Sequence, residues 1–110
     1  CGGDRDQTKR PMMGEIAGRY SDYTIITSDN PRTEDPQIIL DHIENGIKQF
    51  KGKYEKIIDR KEAIQKAIQK AKKDDVVIIA GKGHENYQIL KDRIIHFDDV
   101  EIAKEYLQEE

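Results

Sequence analysis

Three short segments hold residue types that could do chemistry. Asp29-Asn30-Pro31-Arg32 sets an arginine directly after a proline. Pro31 forces Asn30 out of helical conformation and stiffens the turn. Arg32 is then presented from a rigid loop as a planar fork suited to a carboxylate or phosphate. In Gly81-Lys82-Gly83-His84-Glu85 the two glycines let the backbone approach a ligand closely. Glu85 is placed to receive an ammonium group, with the Gly81 carbonyl as a second acceptor. The opening residues 1–10 set Arg5, Lys9 and Arg10 around Gly2, Gly3, Asp4 and Asp6, and a Gly-Gly turn near a helix start can bind an anion. Each segment alone is equally an ordinary turn or charged surface loop. Together they describe a site with two or three arginines and one glutamate. Such a site suits a zwitterionic small molecule with more than one carboxylate. It does not specify a reaction.

Other chemistries lack their residues. Gly81-Lys82-Gly83 does not have the spacing of a phosphate-binding G-x-x-x-x-G-K-[ST] loop, and His84-Glu85 has no second histidine four positions after the first. One cysteine and three scattered histidines make no metal constellation. His42 and His96 read as surface or helix-face residues, and no Ser-His-Asp or Cys-His pairing has support.

The loops need elements to hold them. The 110 residues suit one small domain, and with 35% hydrophobic against 37% charged residues the apolar ones must be concentrated for a core to form. They are. A helix is expected at 10–20, with Pro11 in its first turn and Met12, Met13, Ile16, Ala17 and Tyr20 sharing a face. A β-branched strand follows at 23–27, then a helix at 36–50 buried through Leu40, Ile43, Ile47 and Phe50, with Gly52 just beyond it. A weaker strand at 54–58 leads to a helix at 60–73 carrying Ala63, Ile64, Ala67, Ile68 and Ala71. Residues 75–80, apolar on both faces, predict a central parallel strand. A hairpin over 87–97 turns at Lys91-Asp92, and Asp98 or Asp99 caps a last helix at 100–108.

Alternating strands and helices predict an α/β, Rossmann-like fold. Its sheet is mostly parallel, with flanking helices and a hairpin near one edge. The three loops then meet at the carboxyl ends of the strands, where open α/β sheets bind ligands. The opening loop has no strand before it, so residues 1–110 are expected to be part of a longer chain, lacking the first strand. The net charge of −3 from well-mixed residues argues against a nucleic-acid face or a polybasic membrane anchor, and no stretch could span a bilayer. The lone Cys1 gives no internal disulfide, so a cytoplasmic protein is expected.

Gly2-Gly3-Asp4-Arg5-Asp6, Lys9-Arg10-Pro11 with Met13-Gly14, Asp29-Asn30-Pro31-Arg32, Gly81-Lys82-Gly83-His84-Glu85 and Tyr87-Gln88 occur in one order along the chain. In that order and spacing they resemble the C-terminal domain of the Mur ligases, most closely the members that add meso-diaminopimelate. The resemblance covers essentially the whole chain. It implies an ATP-dependent, amide-forming ligase of peptidoglycan precursor synthesis. ATP phosphorylates the terminal carboxylate of UDP-MurNAc-L-Ala-D-Glu, and the incoming amine attacks the acyl phosphate. ATP and Mg2+ are bound mainly by a central domain and the uridine nucleotide by an N-terminal one, both outside 1–110. This domain then holds no catalytic residue, is inactive alone, and selects the amine.

Carried over by the resemblance, Asn30 and Arg32 meet the far carboxylate of meso-diaminopimelate, and Arg5 is a further cationic contact. Gly81 and Glu85 hold the distal ammonium, while Asp29 and Pro31 support the loop. No metal ligand is implied here. Nothing in the resemblance assigns Lys9, Arg10 or His84 to the nucleotide. Two other readings stay open. One is an L-lysine-adding ligase of the same family, against which Arg32 stands, because lysine-adding relatives lack that arginine. The other is a non-catalytic α/β ligand-binding module of receiver type, for which Asp29 is the only candidate phosphoacceptor.

Overall fold

The computed structural model describes residues 1–3, 7–50, 53–72, 75–81 and 85–108. Along the chain run α1 (Lys9–Tyr20), β1 (Tyr23–Ile26), α2 (Pro36–Ile47), β2 (Lys53–Lys56), α3 (Arg60–Lys70), β3 (Tyr87–Ile89), β4 (Ile94–His96) and α4 (Asp99–Gln108). The fold is α/β, with a small parallel sheet, flanking helices and a hairpin. Apart from the strand expected at 75–80, expected and observed elements agree in order, with ends shifted by a few residues.

Aspartates start three of the helices. Asp35 accepts from Gln37 N ahead of Pro36, and Asp59 accepts from Lys61 N. Asp98, rather than Asp99, caps α4, its Oδ1 accepting from the backbone N of Val100 at 2.9 Å and Glu101 at 3.3 Å. That leaves Asp99 for another task.

β1 and β2 pair in parallel, with Tyr23 opposite Lys53 and Ile26 opposite Lys56. β3 and β4 form the antiparallel hairpin, closed at Lys91-Asp92 by Leu90 N donating to Arg93 O at 2.8 Å. Two apolar clusters result. Ile26 of β1 packs with Ile39, Leu40, Ile43 and Ile47 of α2, and Ile64 and Ile68 of α3 pack with Phe97. Each fully buried aliphatic side chain contributes roughly 1.5–3 kcal/mol. Lys56 of β2 ties the sheet to α2 by donating to Asp41 and Glu44 at 2.9 Å each. These bonds hold both carboxyls below their ordinary range and raise the ammonium above its own.

Two expectations are corrected. Of the apolar face expected for α1 only Ala17 packs against the core: Met12, Met13, Ile16 and Tyr20 are exposed, and Arg10 and Gly14 are buried. The reason is the closeness of α2. A Cβ on Gly14 would lie 2.0 Å from Ile43 O, and one on Gly46 would lie 1.8 Å from Pro11 O. The helices meet backbone to backbone, so glycines rather than large side chains line the contact. Gly46→Ala should therefore destabilise by about 1–3 kcal/mol or more through overpacking, although alanine in an open helix would stabilise by about 1 kcal/mol. A urea-unfolding midpoint that rises would refute this account of the contact.

Residues 75–80 are not in a ladder among the described residues, so the expected central strand is absent as a paired strand. Their side chains still alternate. Val76 and Ile78 are 85% and 84% exposed, while Ile79 packs on the Phe97 cluster. Alternation belongs to the residues, but a ladder needs a neighbouring strand, and neither two-stranded sheet supplies one. The expected terminator Gly52 and the tail of the 60–73 helix at residue 73 lie outside the described residues.

Candidate functional site

The Asp29-Asn30-Pro31-Arg32 loop leaves β1 and is gripped from three directions. From the opening segment, Gly3 N donates to Asn30 O at 2.7 Å. A side chain could not follow it there, because a Cβ on Gly3 would lie 1.8 Å from Pro31 O. From the hairpin, Ile89 N donates to Asn30 Oδ1 at 2.9 Å and Ile89 O accepts from Arg32 N at 3.1 Å. From the 81–86 loop, Glu85 Oε1 accepts from Asn30 Nδ2 at 3.3 Å. Among the described residues, the three segments meet through Gly3, Asn30 and Glu85.

Arg32 has φ 54°, a left-handed backbone that disfavours a residue with a Cβ. The Arg32 N–H bond to the hairpin holds it there. Its Nη1 donates to Gly3 O at 3.0 Å and to Asn30 O at 3.4 Å. The guanidinium thus lies across the opening loop and beside a cleft of about 480 Å³ lined by residues 31–36 and 90–92. Gly81 has φ +116°, a conformation suited to glycine, and the Asp29 carboxylate lies 3.8 Å from its Cβ direction. Asp29, Asn30, Pro31, Arg32, Gly81 and Glu85 are therefore brought together. Arg5 lies outside the described residues, as do Lys82, Gly83 and His84.

Arg10 is not at the anion-binding surface where an opening cationic loop would put it. It is fully buried, and its Nη1 and Nη2 donate to Glu34 Oε2 and Oε1 at 2.8 Å each. It also bonds Gly2 O at 3.1 Å and lies 3.0 Å from His42 Nδ1. Glu34 sits two residues after Arg32, so this pair pins the far end of that loop onto α1 and α2.

A second buried arginine was not singled out from sequence. Arg60 Nε and Nη2 donate to Asp99 Oδ1 and Oδ2 at 2.8 and 2.7 Å, Nη1 donates to Ser28 O at 3.0 Å, and Nη2 to Ala80 O at 3.2 Å. Buried Gln88 completes the layer, its Nε2 donating to Ser28 Oγ at 3.2 Å and Asp29 O at 2.8 Å. One signal was available. Arg10 and Arg60 both fall in the first turn of a helix, where the macrodipole disfavours a cation. An arginine there asks for a carboxylate from elsewhere.

Among the described residues no group of three or more His, Cys, Asp or Glu side chains could hold a metal ion, and no helix is long and apolar enough to cross a membrane. What the geometry defines is a pre-formed, polar rim on an α/β domain. Residues 1–83 match the family described as Mur ligase, glutamate ligase domain, and the chain belongs to the Mur ligase family.

The similar proteins narrow the comparison. A UDP-N-acetylmuramoyl-L-alanyl-D-glutamate–2,6-diaminopimelate ligase of Caldanaerobacter subterraneus is 58% identical over 109 residues, 99% of this chain and 23% of the relative. One of the same name from Bacillus cereus is 61% identical over 106 residues, 96% of this chain and 21% of the relative. A solved structure of a ligase so named superposes with a TM-score of 0.93 at 44% identity, covering 99% of this chain and 22% of that one. The chain thus spans about a fifth of the length of these relatives.

Proposed function

We propose that residues 1–110 are the C-terminal, amine-selecting domain of a three-domain ATP-dependent ligase that adds meso-diaminopimelate to UDP-MurNAc-L-Ala-D-Glu in the cytoplasm. The observation that carries this is Asn30 bonding both Arg32 and Glu85 on one rim, in a chain 58% identical to a ligase of that name. The difference from lysine is one extra carboxylate, and the difference in this site is a cation to receive it. Arg32 and Asn30 take the far carboxylate, with Arg5 as a further cation. Glu85, backed by the Gly81 carbonyl, takes the distal ammonium, and Asp29 and Pro31 shape the loop.

Asn30 has a further duty in this arrangement. Its amide oxygen is engaged by the hairpin and its nitrogen by Glu85, so it also fixes the distance between the cationic and anionic ends of the site. Alignment of the two ends is what selects a molecule of one length.

ATP supplies the phosphoryl group that activates the dipeptide carboxylate. No phosphate-binding loop of Walker spacing occurs in the 110 residues, so ATP and Mg2+ are assigned to the rest of the longer protein. This chain binds and orients the amine. The outward row of Val76 and Ile78 suits a strand position facing a neighbour in that longer protein.

The test is ligation by the intact enzyme, with ATP and UDP-MurNAc-L-Ala-D-Glu, of meso-diaminopimelate against L-lysine. Diaminopimelate should be preferred by about 10⁴-fold in kcat/KM, the scale set by a polar site left unpaired. Equal use of lysine would sink the proposal.

A further inference from the structure

Arg60 lies beneath the rim and bonds the residues that lead into both loops. Its side chain is 3% exposed and that of Asp99 is 8% exposed. Nη1 holds the carbonyl of Ser28, the residue before Asp29-Asn30-Pro31-Arg32, at 3.0 Å. Nη2 holds the carbonyl of Ala80, the residue before Gly81, at 3.2 Å. Ala80 belongs to a segment without ladder bonds among the described residues, so its position along that segment is not set by sheet register. A planar guanidinium whose Nε edge is clamped bidentately by Asp99 cannot rotate, and the two carbonyls are therefore held at a fixed separation.

We propose that Arg60, held by Asp99, is a positioning residue of the amino-acid site. It sets the gap between the Arg32 end and the Glu85 end, and so the length of the zwitterion accepted. This rests on the reading that the two loops bind the incoming amine. Arg60 acts from below, with Gln88 bonding the same Ser28 and Asp29 from the hairpin. A pair that only fastened α3 to α4 would have no reason to bond Ser28 and Ala80, which lie in neither helix.

The intact ligase containing this chain tests it through Arg60→Lys and Arg60→Gln. Lysine keeps the charge for Asp99, but a single ammonium cannot span the acceptors that the fork holds. For Arg60→Lys the KM for meso-diaminopimelate should rise about 10-fold or more, the scale of one charged hydrogen bond. For Arg60→Gln it should rise further. The KM values for ATP and for the UDP-dipeptide should stay within about 2-fold, since those substrates do not meet these loops in the proposed arrangement. Asp99→Asn should move the diaminopimelate KM in the same direction. An unfolding midpoint that falls with all three KM values unchanged, or three KM values that rise together, overturns the proposal. So does a failure of Arg60→Lys and Asp99→Asn alike to yield folded enzyme, which would assign the pair to the fold alone. The wild-type control separates the two claims: if it uses a different amine, the substrate reading fails, and the positioning role is then read from that amine's KM against that of ATP.

Discussion

An intact ligase carrying Arg32→Ala should lose about 10²–10⁴-fold in kcat/KM for meso-diaminopimelate, because charge-assisted hydrogen bonds contribute about 1.5–3 kcal/mol each and a fork can make two. The strained backbone sharpens the expectation. A residue with a Cβ at φ 54° is costly unless its surroundings insist on it. Here Ile89 O and the Gly3 and Asn30 carbonyls do insist, and what they aim is a guanidinium. Arg32→Lys should fall between wild type and alanine, keeping the charge without the planar fork. Steady-state kinetics beside an unfolding curve checks this. A diaminopimelate KM within 2-fold of wild type in a folded Arg32→Ala enzyme would remove the carboxylate clamp from consideration.

Arg10→Met should destabilise the domain by about 3–5 kcal/mol, because it takes the bidentate partner from Glu34 in a partly buried place. The Arg10 side chain is 1% exposed and that of Glu34 is 20% exposed, which favours the lower part of that range. A double variant, Arg10→Met with Glu34→Leu, removes both charges and should recover most of the loss, since apolar replacement of a buried pair is often neutral or stabilising. Chemical unfolding of wild type, single and double variants forms the test. If the double variant is as unstable as the single one, the loss comes from the Gly2 and His42 contacts rather than from the lost Arg10–Glu34 pair. The double variant should also have a raised diaminopimelate KM, as Glu34 no longer anchors the loop that carries Arg32.

Much of the loop geometry was legible because its signals are local. Asn30-Pro31-Arg32 states its own rigidity, and the glycine at 81 takes the positive φ that a loop leaving a β-branched run often needs. The residues of α2 were legible too, since Leu40, Ile43 and Ile47 face a core that is present. What periodicity could not reveal was the outward turn of Met12, Met13, Ile16 and Tyr20. That depends on the pairing of Gly14 with Ile43 and of Gly46 with Pro11 across two helices. The burial of Arg10 and Arg60 was hidden for the same reason: they pair with carboxylates 24 and 39 positions away. The ladder expected at 75–80 failed on a different ground, since apolar residues qualify a segment for a sheet but cannot provide its neighbour.

That last segment bears on how the domain can be handled as a separate piece. Val76-Val77-Ile78-Ile79-Ala80 is uncharged, proline-free and β-branched, with Val76 and Ile78 almost wholly in solvent. Such a run is the usual seed of edge-to-edge association between copies. Concentrated solutions of residues 1–110 should therefore clump through these five residues before any helix unfolds. A lysine at position 76 or 78, on the outward row, is the natural gatekeeper against it.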